Sequence, residues 1–365
     1  MTTSIATLIT EIQRAFLDGE TLSALFIDIK SAFDYVNPNI LQEILIEMRI
    51  PIKTRKFVFN LMTNRNLYFK INHEVFGPYC KHIGLPQGCV ISAFMYTIYN
   101  IKLNQRISIE NEIVQFADDT VLINKKKGIK NSLKKLQSDV AKITEYFDSI
   151  GLEIAPEKSQ LVIFSKTKIK EKSHQIKIQD HIVYNQQHVK YLGLIIDSKL
   201  QWNEHAKYII DKTIKLMNIL KVLRGTWWGG NPQTLLIVYR GLIRSTMEYN
   251  AFLIKVEDQK LKTKIKVIQN QALRLAMGYR ISTPINVMFA EAGEPISHVR
   301  NKLLADKFSL KLISLQDHPL QDKLCALKVE ATSKNQLQTY REKYTLLDSF
   351  ITQFYTKRRK IALSE

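Results

Sequence analysis

The sequence has few cysteines and begins without a secretion signal. Its three cysteines are scattered over 365 residues, at positions 80, 89 and 325. They are too few and too far apart for a disulfide framework or a cysteine zinc site. The first residues also lack the basic start and apolar core of a signal peptide. We therefore expect a protein of a reducing compartment, nuclear or cytoplasmic, that is not secreted.

The sequence also lacks a clean membrane-spanning run. Residues 82–101 contain no Lys, Arg, Asp or Glu over twenty positions, which is long enough to cross a bilayer. Two glycines, a proline and two amide side chains interrupt this run. We therefore predict a buried loop and helix here, and no membrane partner.

Negative charge is scarce relative to positive charge. Lys and Arg number 53 against 34 Asp and Glu, which gives a formal net charge of +19. This balance favours a polyanionic partner and a salt-sensitive association. The densest basic runs are 125–127 and 357–360; the second is interpreted as a solvated tail, with a nuclear localisation signal as the alternative. Four aromatic residues are interpreted as core, with stacking on bases as the alternative: Tyr68, Phe69, Trp227 and Trp228.

Two adjacent carboxylates, Asp118 and Asp119, stand at the tip of an apolar hairpin pattern. At ~4 Å and an effective dielectric of ~20, two such charges repel by about 4 kcal/mol, and burial adds a desolvation penalty. A bound divalent metal would remove both costs. The alternative is an ordinary Asp-Asp β-turn exposed to solvent.

A third carboxylate, Asp28, interrupts the apolar strand pattern of residues 25–29. Ninety residues separate it from Asp118, so a shared site requires two strands that lie side by side in one sheet. Such a sheet can present carboxylates to two metal ions about 3.5 to 4 Å apart, as in polymerases and nucleases. Oxygen ligands of this kind suit Mg²⁺, and no His or Cys cluster favours a softer metal.

Five motifs resemble those of reverse transcriptases. Residues 26–34, 84–89 and 116–120 resemble motifs A, B and C in order and spacing, 151–159 is similar to motif D, and 191–193 to motif E. The resemblance is strongest to the non-LTR, LINE-like retrotransposons of the jockey type. It continues to about residue 310 through three further segments, 225–229, 239–249 and 291–295.

The resemblance implies an RNA-directed DNA polymerase in which Asp28, Asp118 and Asp119 hold two Mg²⁺ ions, with Mn²⁺ as an alternative. The backbone carbonyl of Ile29 would add a ligand. One ion would activate the primer 3′-hydroxyl for attack on the α-phosphate, and the other would neutralise the leaving pyrophosphate. The implied partners are an RNA template, a DNA primer and a deoxynucleoside triphosphate, whereas the oligomeric state is not indicated.

The same resemblance assigns nucleotide contacts to Ile29, Phe33, Gln87 and Gly88. Phe33 would lie under the incoming sugar and exclude a 2′-hydroxyl, although a plain core role is the alternative. An RNA-dependent RNA polymerase is disfavoured, because such enzymes commonly place an Asp at this position. The glycines beside Gln87 allow the backbone to approach a nucleotide closely.

Motifs D and E contribute candidates with weaker support. Lys158 would be a general acid that protonates pyrophosphate, but a surface lysine in a basic protein is the default interpretation. Tyr191, Leu192 and Gly193 lie in an alternating run, 189–196, that predicts one strand. The resemblance makes these three residues a primer grip.

Periodicity predicts an α+β fold with a mixed sheet packed on helices, followed by an all-α region. The resemblance implies that the first part is a polymerase palm and that the helices after it are a thumb, followed by a helical C-terminal region. We place the palm with residual fingers at 1–200, the thumb at 201–280 and a C-terminal extension without assigned role at 281–365. Palm helices are predicted over an apolar stripe at the N-terminus, after the Asn37 cap with Pro38 at the first helical position, and over 133–147. Thumb helices are predicted at 203–225, 231–249 and 257–278.

Only 27 residues precede Asp28, and neither an endonuclease nor an RNase H domain is recognisable. We therefore expect a truncated copy of a retrotransposon protein that lacks most of the fingers. Its palm would keep the metal site while incorporation is poor. The alternative is a catalytically inactive nucleic-acid-binding remnant of a decayed element.

Overall fold

The computed structural model describes residues 1–63, 65–225 and 229–362, apart from the side chains of residues 355 and 357–362. Within this part of the chain two compact units form: Asp18–Gln187, and Met1–Leu17 together with His188–Glu365. Strands and helices occur in both, so the predicted α+β class is confirmed. The interpretations of Trp227, Trp228 and the basic run 357–360 concern side chains that lie outside the described residues.

The secondary structure elements are numbered in chain order. The strands are β1 (Thr21–Ile27), β2 (Arg65–Ile71), β3 (Glu74–Lys81), β4 (Asn111–Phe116), β5 (Asp119–Lys126), β6 (Gln160–Phe164), β7 (Gln175–Ile178), β8 (His181–Gln186), β9 (His188–Tyr191) and β10 (Leu194–Asp197). The helices are α1 (Thr2–Asp18), α2 (Pro38–Glu47), α3 (Ile52–Met62), α4 (Val90–Tyr99), α5 (Ile129–Ser149), α6 (Asn203–Leu223), α7 (Pro232–Val238), α8 (Ser245–Glu248), α9 (Gln259–Met277), α10 (Ile285–Glu291), α11 (Ser297–Ser314), α12 (Pro319–Ser333), α13 (Leu337–Lys343) and α14 (Thr345–Ala362). Short 3₁₀ turns cover Leu103–Arg106 and Ala251–Leu253, and a π-helical turn covers Tyr239–Arg244.

The unit Asp18–Gln187 is built on a six-stranded mixed sheet in the order β4-β5-β1-β6-β8-β7. Strand β1 pairs antiparallel with both β5 and β6, and β6 pairs parallel with β8. Because β1 lies inside the sheet, six of its seven residues are buried. This position explains the continuous apolar run that leads to Asp28.

Helix α5 packs on this sheet with an amphipathic stripe. All five predicted stripe residues are buried: Leu133, Leu136, Val140, Ile143 and Phe147. Gly151 follows the helix with φ 74°, in the left-handed conformation that ends many helices. Helix α2 begins as predicted, since the side chain of Asn37 accepts a hydrogen bond from the Asn39 amide at 2.9 Å.

The predicted loop and helix of residues 82–101 are present, with the helix as α4, but their predicted burial is only partly correct. Tyr96 and Tyr99 are fully buried, whereas Val90 and Phe94 on the opposite face are 91% and 64% exposed. None of the described helices combines the length and apolar character needed to span a bilayer.

The hairpin of β2 and β3 was not predicted. Its strands turn at Asn72 and His73, which both have positive φ, as two-residue hairpin turns require. Tyr68 and Phe69 lie on this hairpin and are 61% and 52% exposed. Their interpretation as core residues is therefore wrong.

The unit of Met1–Leu17 and His188–Glu365 is mainly helical. The three predicted thumb helices are observed, but the second is divided into α7, the π-helical turn and α8. The N-terminal helix α1 belongs to this unit and contacts its C-terminal helices: Thr10 Oγ1 lies 3.2 Å from the Tyr344 hydroxyl, and Arg14 pairs with Glu330 at 2.6 Å. The functional domain limits given above stay a prediction.

The strand predicted over 189–196 is two strands. Leu192 and Gly193 form the turn between β9 and β10, with φ values of 44° and 83°. The two strands then pair with each other as a small antiparallel hairpin.

Candidate active site

The sheet brings Asp28 and Asp119 to the same edge. In the antiparallel pair of β1 and β5, Ile27 is opposite Thr120. Asp28 follows Ile27 and Asp119 precedes Thr120, so the two aspartates are neighbours across the strand ends. Asp118 lies beside them in the two-residue turn between β4 and β5, because Phe116 pairs with Asp119. The three predicted carboxylates are thus brought together by strand register.

The three carboxylates repel one another. Partial burial, followed by the charges of Asp118 and Asp28, raises the pKa of Asp119 to about 6, although its side chain still reaches solvent. Desolvation also raises the pKa of Asp28, and Asp118 and Glu157 add to this shift. Lys158 opposes it, with its ammonium 3.8 Å from Asp28 Oδ2. Because the net shifts are upward, the site favours an added positive charge.

The segment of residues 153–158 is hydrogen-bonded to the backbone on both sides of Ile29. The Ala155 amide donates to the Asp28 carbonyl at 2.8 Å, and the Lys30 amide donates to the Glu153 carbonyl at 2.9 Å. These bonds flank the bridge between Ile29 and Ile154 and do not use the carbonyl of Ile29. The segment therefore fixes the Asp28 backbone and places Lys158 next to its carboxylate.

The donor chemistry of the site suits a hard divalent cation. Three carboxylates supply oxygen ligands, and the pKa values of Asp28 and Asp119 are raised, first by desolvation and then by neighbouring negative charges. Within the described ranges, no three His, Cys, Asp or Glu side chains are already arranged around one metal position.

The loop of residues 84–88 is fastened to the segment that follows Asp28. The Gly84 amide donates to the Val36 carbonyl at 2.8 Å, and the Leu85 amide donates to the Phe33 carbonyl at 2.7 Å. A Cβ on Gly84 would lie 2.5 Å from the Asp34 carbonyl oxygen, and φ is 82°, so only glycine fits. Gly88 also has φ 82°, with open space where a side chain would be. Gln87, between them, is exposed.

Phe33 is partly buried and stacks on a tyrosine that the sequence did not indicate. Its ring centroid lies 4.8 Å from that of Tyr96, which is fully buried in α4. Burial raises the pKa of Tyr96 well above its usual range, so this ring stays neutral. The stacked Tyr96 ring therefore supports the Phe33 ring on one face. No sequence pattern links these two residues, which are 63 positions apart.

The predicted primer grip lies in the other compact unit. The Tyr191 side chain is 3% exposed, so Leu192 and Gly193 are the accessible part of this motif. The Tyr249 hydroxyl donates to the Leu192 carbonyl at 2.8 Å, and a Cβ on Gly193 would lie 3.2 Å from the Tyr249 ring. Tyr249 therefore fixes the turn, and the φ of 83° together with the nearby Tyr249 ring favours glycine at its second position.

Comparisons with known proteins agree with the motifs. The chain is 20% identical over 275 residues to the probable RNA-directed DNA polymerase from transposon BS of Drosophila melanogaster, covering 72% of this chain and 30% of that protein. It is 22% identical over 267 residues to the RNA-directed DNA polymerase from mobile element jockey of Drosophila melanogaster, covering 69% and 28%. The chain thus spans about 30% of the length of these curated relatives.

A solved structure of apo telomerase from Candida tropicalis aligns with 94% of this chain and 56% of its own, at 13% identity and a TM-score of 0.43. The family model described as reverse transcriptase (RNA-dependent DNA polymerase) matches residues 3–196, which is more than half of the chain. The resemblance inferred from the five motifs is confirmed: the chain belongs to the reverse transcriptase family.

Proposed function

We propose that this chain adds deoxynucleotides to the 3′-hydroxyl of a DNA primer on an RNA template. The observation that carries the proposal is the convergence of Asp28, Asp118 and Asp119 at one sheet edge, in a chain of the reverse transcriptase family. The formal charge of +19 suits a nucleic acid. A footprint of ~6 to 10 phosphates would lose about 10³ to 10⁵ in affinity between 50 and 200 mM salt.

The three aspartates and the Ile29 carbonyl would hold two Mg²⁺ ions, with Mn²⁺ as an alternative. When bound, the ions would supply activation of the primer oxygen and neutralise charge on the phosphates. The aspartates themselves contribute orientation, because strand register fixes their relative positions before substrate arrives. Pre-arranged groups of this kind lower the entropic part of the barrier.

Lys158 is proposed to protonate the leaving pyrophosphate. Its side chain is 67% exposed and its ammonium lies 3.8 Å from Asp28, so it can reach a phosphate near the aspartates. Gln87 and the backbone at Gly88 would contact the incoming nucleotide. Leu192 and Gly193, with Tyr191 as their buried anchor, would contact the primer.

The direct test is single-turnover extension of a labelled DNA primer on an RNA template by the purified 365-residue chain. With enzyme in excess, even slow addition is detected. We expect addition that requires Mg²⁺ or Mn²⁺ and that disappears in Asp118→Ala. The matched control is Asp180→Ala, which removes a fully exposed aspartate paired with Lys177. No addition by the wild-type chain with either metal, or full addition by Asp118→Ala, would reject the proposal.

Sugar selection tests the role of Phe33. We expect the wild-type chain to add dATP in preference to ATP, and Phe33→Ala to reduce that preference by about tenfold or more, since the ring would no longer oppose the 2′-hydroxyl. Phe33→Tyr keeps the ring and its stacking on Tyr96, and is expected to keep the preference. An unchanged ratio in Phe33→Ala would leave Phe33 with a packing role alone.

A further inference from the structure

Asp34 connects two parts of the nucleotide site that lie far apart in the sequence. One carboxylate oxygen, Oδ2, accepts a hydrogen bond from Gln87 Nε2 at 3.1 Å. The other, Oδ1, accepts from Lys81 Nζ at 2.5 Å. The backbone of Asp34 also lies against the loop at Gly84. Its carbonyl oxygen occupies the place where a Cβ on Gly84 would be.

The contact fixes the orientation of the Gln87 amide. A glutamine amide has a donating and an accepting end of nearly equal size, and either end fits an ambivalent partner. An ionised carboxylate can only accept hydrogen bonds. The nitrogen of Gln87 must therefore face Asp34, and its carbonyl oxygen and second N–H remain for another partner.

The surroundings keep both groups in place. The ion pair with Lys81 restrains the carboxylate of Asp34, whose side chain is 36% exposed. Arg65 donates to the carbonyls of Ile83 and Gly84 at 2.7 and 2.8 Å, and the Ser92 hydroxyl donates to the Pro86 carbonyl at 2.6 Å. The loop backbone up to Pro86 is thus held by hydrogen bonds independent of Asp34. Loss of the Asp34 carboxylate would release the Gln87 side chain and leave the loop backbone anchored.

We propose that Asp34 is a positioning residue, which sets the orientation of the Gln87 amide in readiness for the incoming nucleotide. The effect on catalysis rests on the proposed function, in which Gln87 contacts that nucleotide. The orientation itself does not rest on it. The two parts can therefore be tested separately.

The orientation is tested by NMR of the glutamine side-chain amides in the ¹⁵N-labelled chain. Gln87→Ala identifies the Gln87 signals by their loss. We expect one Gln87 amide proton to resonate away from its free-glutamine position, and Asp34→Asn to abolish that displacement, because asparagine can face either end of the amide. Asp180→Asn, also next to a lysine, is the matched control and should leave the signals unchanged.

Unchanged Gln87 signals in Asp34→Asn would overturn the proposal. If Asp34→Asn does not fold, Asp34→Glu keeps the charge and moves the carboxylate by one methylene. The Gln87 signals must change in that variant too, and their persistence there would likewise overturn the proposal.

The consequence for catalysis is tested by steady-state incorporation. In Asp34→Asn we expect the KM for the deoxynucleotide to rise about five- to tenfold, the low end for a partly exposed charge-assisted hydrogen bond, with kcat within about twofold. Asp34→Asn combined with Gln87→Ala should be no worse than Gln87→Ala alone. Additive losses in the double variant would contradict positioning through Gln87. An inactive wild-type chain would reject the proposed function, while the NMR experiment would still decide the orientation.

Discussion

Two buried acids of the helical unit, Glu294 and Glu11, differ from the aspartate cluster of the sheet unit in how their charges are compensated. In the helical unit, Glu294 is buried, with 2% of its side chain exposed, and it is bound by two arginines. Arg240 Nε donates to it at 2.6 Å and Arg244 Nη1 at 2.8 Å. Glu11 is similar: burial alone would raise its pKa, but Lys323 and Arg14 outweigh burial, and its pKa is lowered. These acids are compensated by neighbouring cations.

The sheet unit places three carboxylates together with much weaker compensation. Lys158 is 3.8 Å from Asp28, yet the pKa of Asp28 is still raised, and that of Asp119 rises to about 6. Acids with a structural role are paired, whereas acids kept near one another without sufficient cations destabilise the fold. Such uncompensated clusters are typical of functional sites. The contrast supports the proposal that the aspartates have a functional role, whereas Glu294 is paired as a structural acid is.

The largest effect is expected for Asp28→Ala, which should abolish most of the activity and leave the stability of the fold nearly unchanged. Asp28→Ala should lower primer extension by at least about a thousandfold, equivalent to about 4 kcal/mol of transition-state stabilisation. Its free energy of unfolding should not fall by more than about 0.5 kcal/mol, because a repulsion is removed along with the side chain. Extension rates and denaturant unfolding of the same preparations check both parts. A large loss of stability would place Asp28 with the structural acids.

Substitution of Glu294 is expected to lower the stability of the fold, in contrast to substitution of Asp28. Glu294→Gln should lower the free energy of unfolding by about 3 kcal/mol, since two arginines would lose the charge of a buried partner. Urea unfolding measures this change. Glu204→Gln is the matched control, because Glu204 is half-exposed and paired with Lys207 on α6. A loss no greater than in that control would mean that Glu294 does not stabilise this unit.

A smaller effect of opposite sign is expected at Asp119. In metal-free buffer at pH 7.5, Asp119→Asn should raise the free energy of unfolding by about 1 kcal/mol, a figure reduced from the full pKa shift because the side chain reaches solvent. The folded-state pKa of about 6 exceeds the ordinary aspartate pKa of 3.8, so ionisation destabilises the wild type. The gain should therefore be nearly absent near pH 3.5, grow as the pH rises from about 4 to about 6, and be complete above about pH 6. Unfolding curves across this range measure it, and a gain independent of pH would exclude charge repulsion as its cause.

Much of the site was predictable because its signals are local. An aspartate after a buried strand and an aspartate pair between two apolar strands are visible in the chain itself, and strands that lie side by side in one sheet join them. The amphipathic stripe of α5 and the Asn37 cap of α2 are local in the same sense. Each was confirmed at the predicted residues.

Other features depend on contacts between distant residues. The bond from Gln87 to Asp34 and the stacking of Phe33 on Tyr96 join segments that no local pattern relates. The strand over 189–196 was mispredicted because a leucine with positive φ is not an ordinary turn signal. Tyr68 and Phe69 on the β2–β3 hairpin were wrongly interpreted as core because the sequence shows apolar side chains but not whether anything covers them.

The central claim is that the three aspartates remain poorly compensated because they bind divalent cations. Titration of the metal-free chain with Mn²⁺, followed by electron paramagnetic resonance of the free ion, measures this directly. We expect wild-type binding that Mg²⁺ displaces, an affinity at least tenfold lower in Asp118→Asn, and no change in Asp180→Asn. Equal Mn²⁺ affinity in the wild type and Asp118→Asn would contradict the claim.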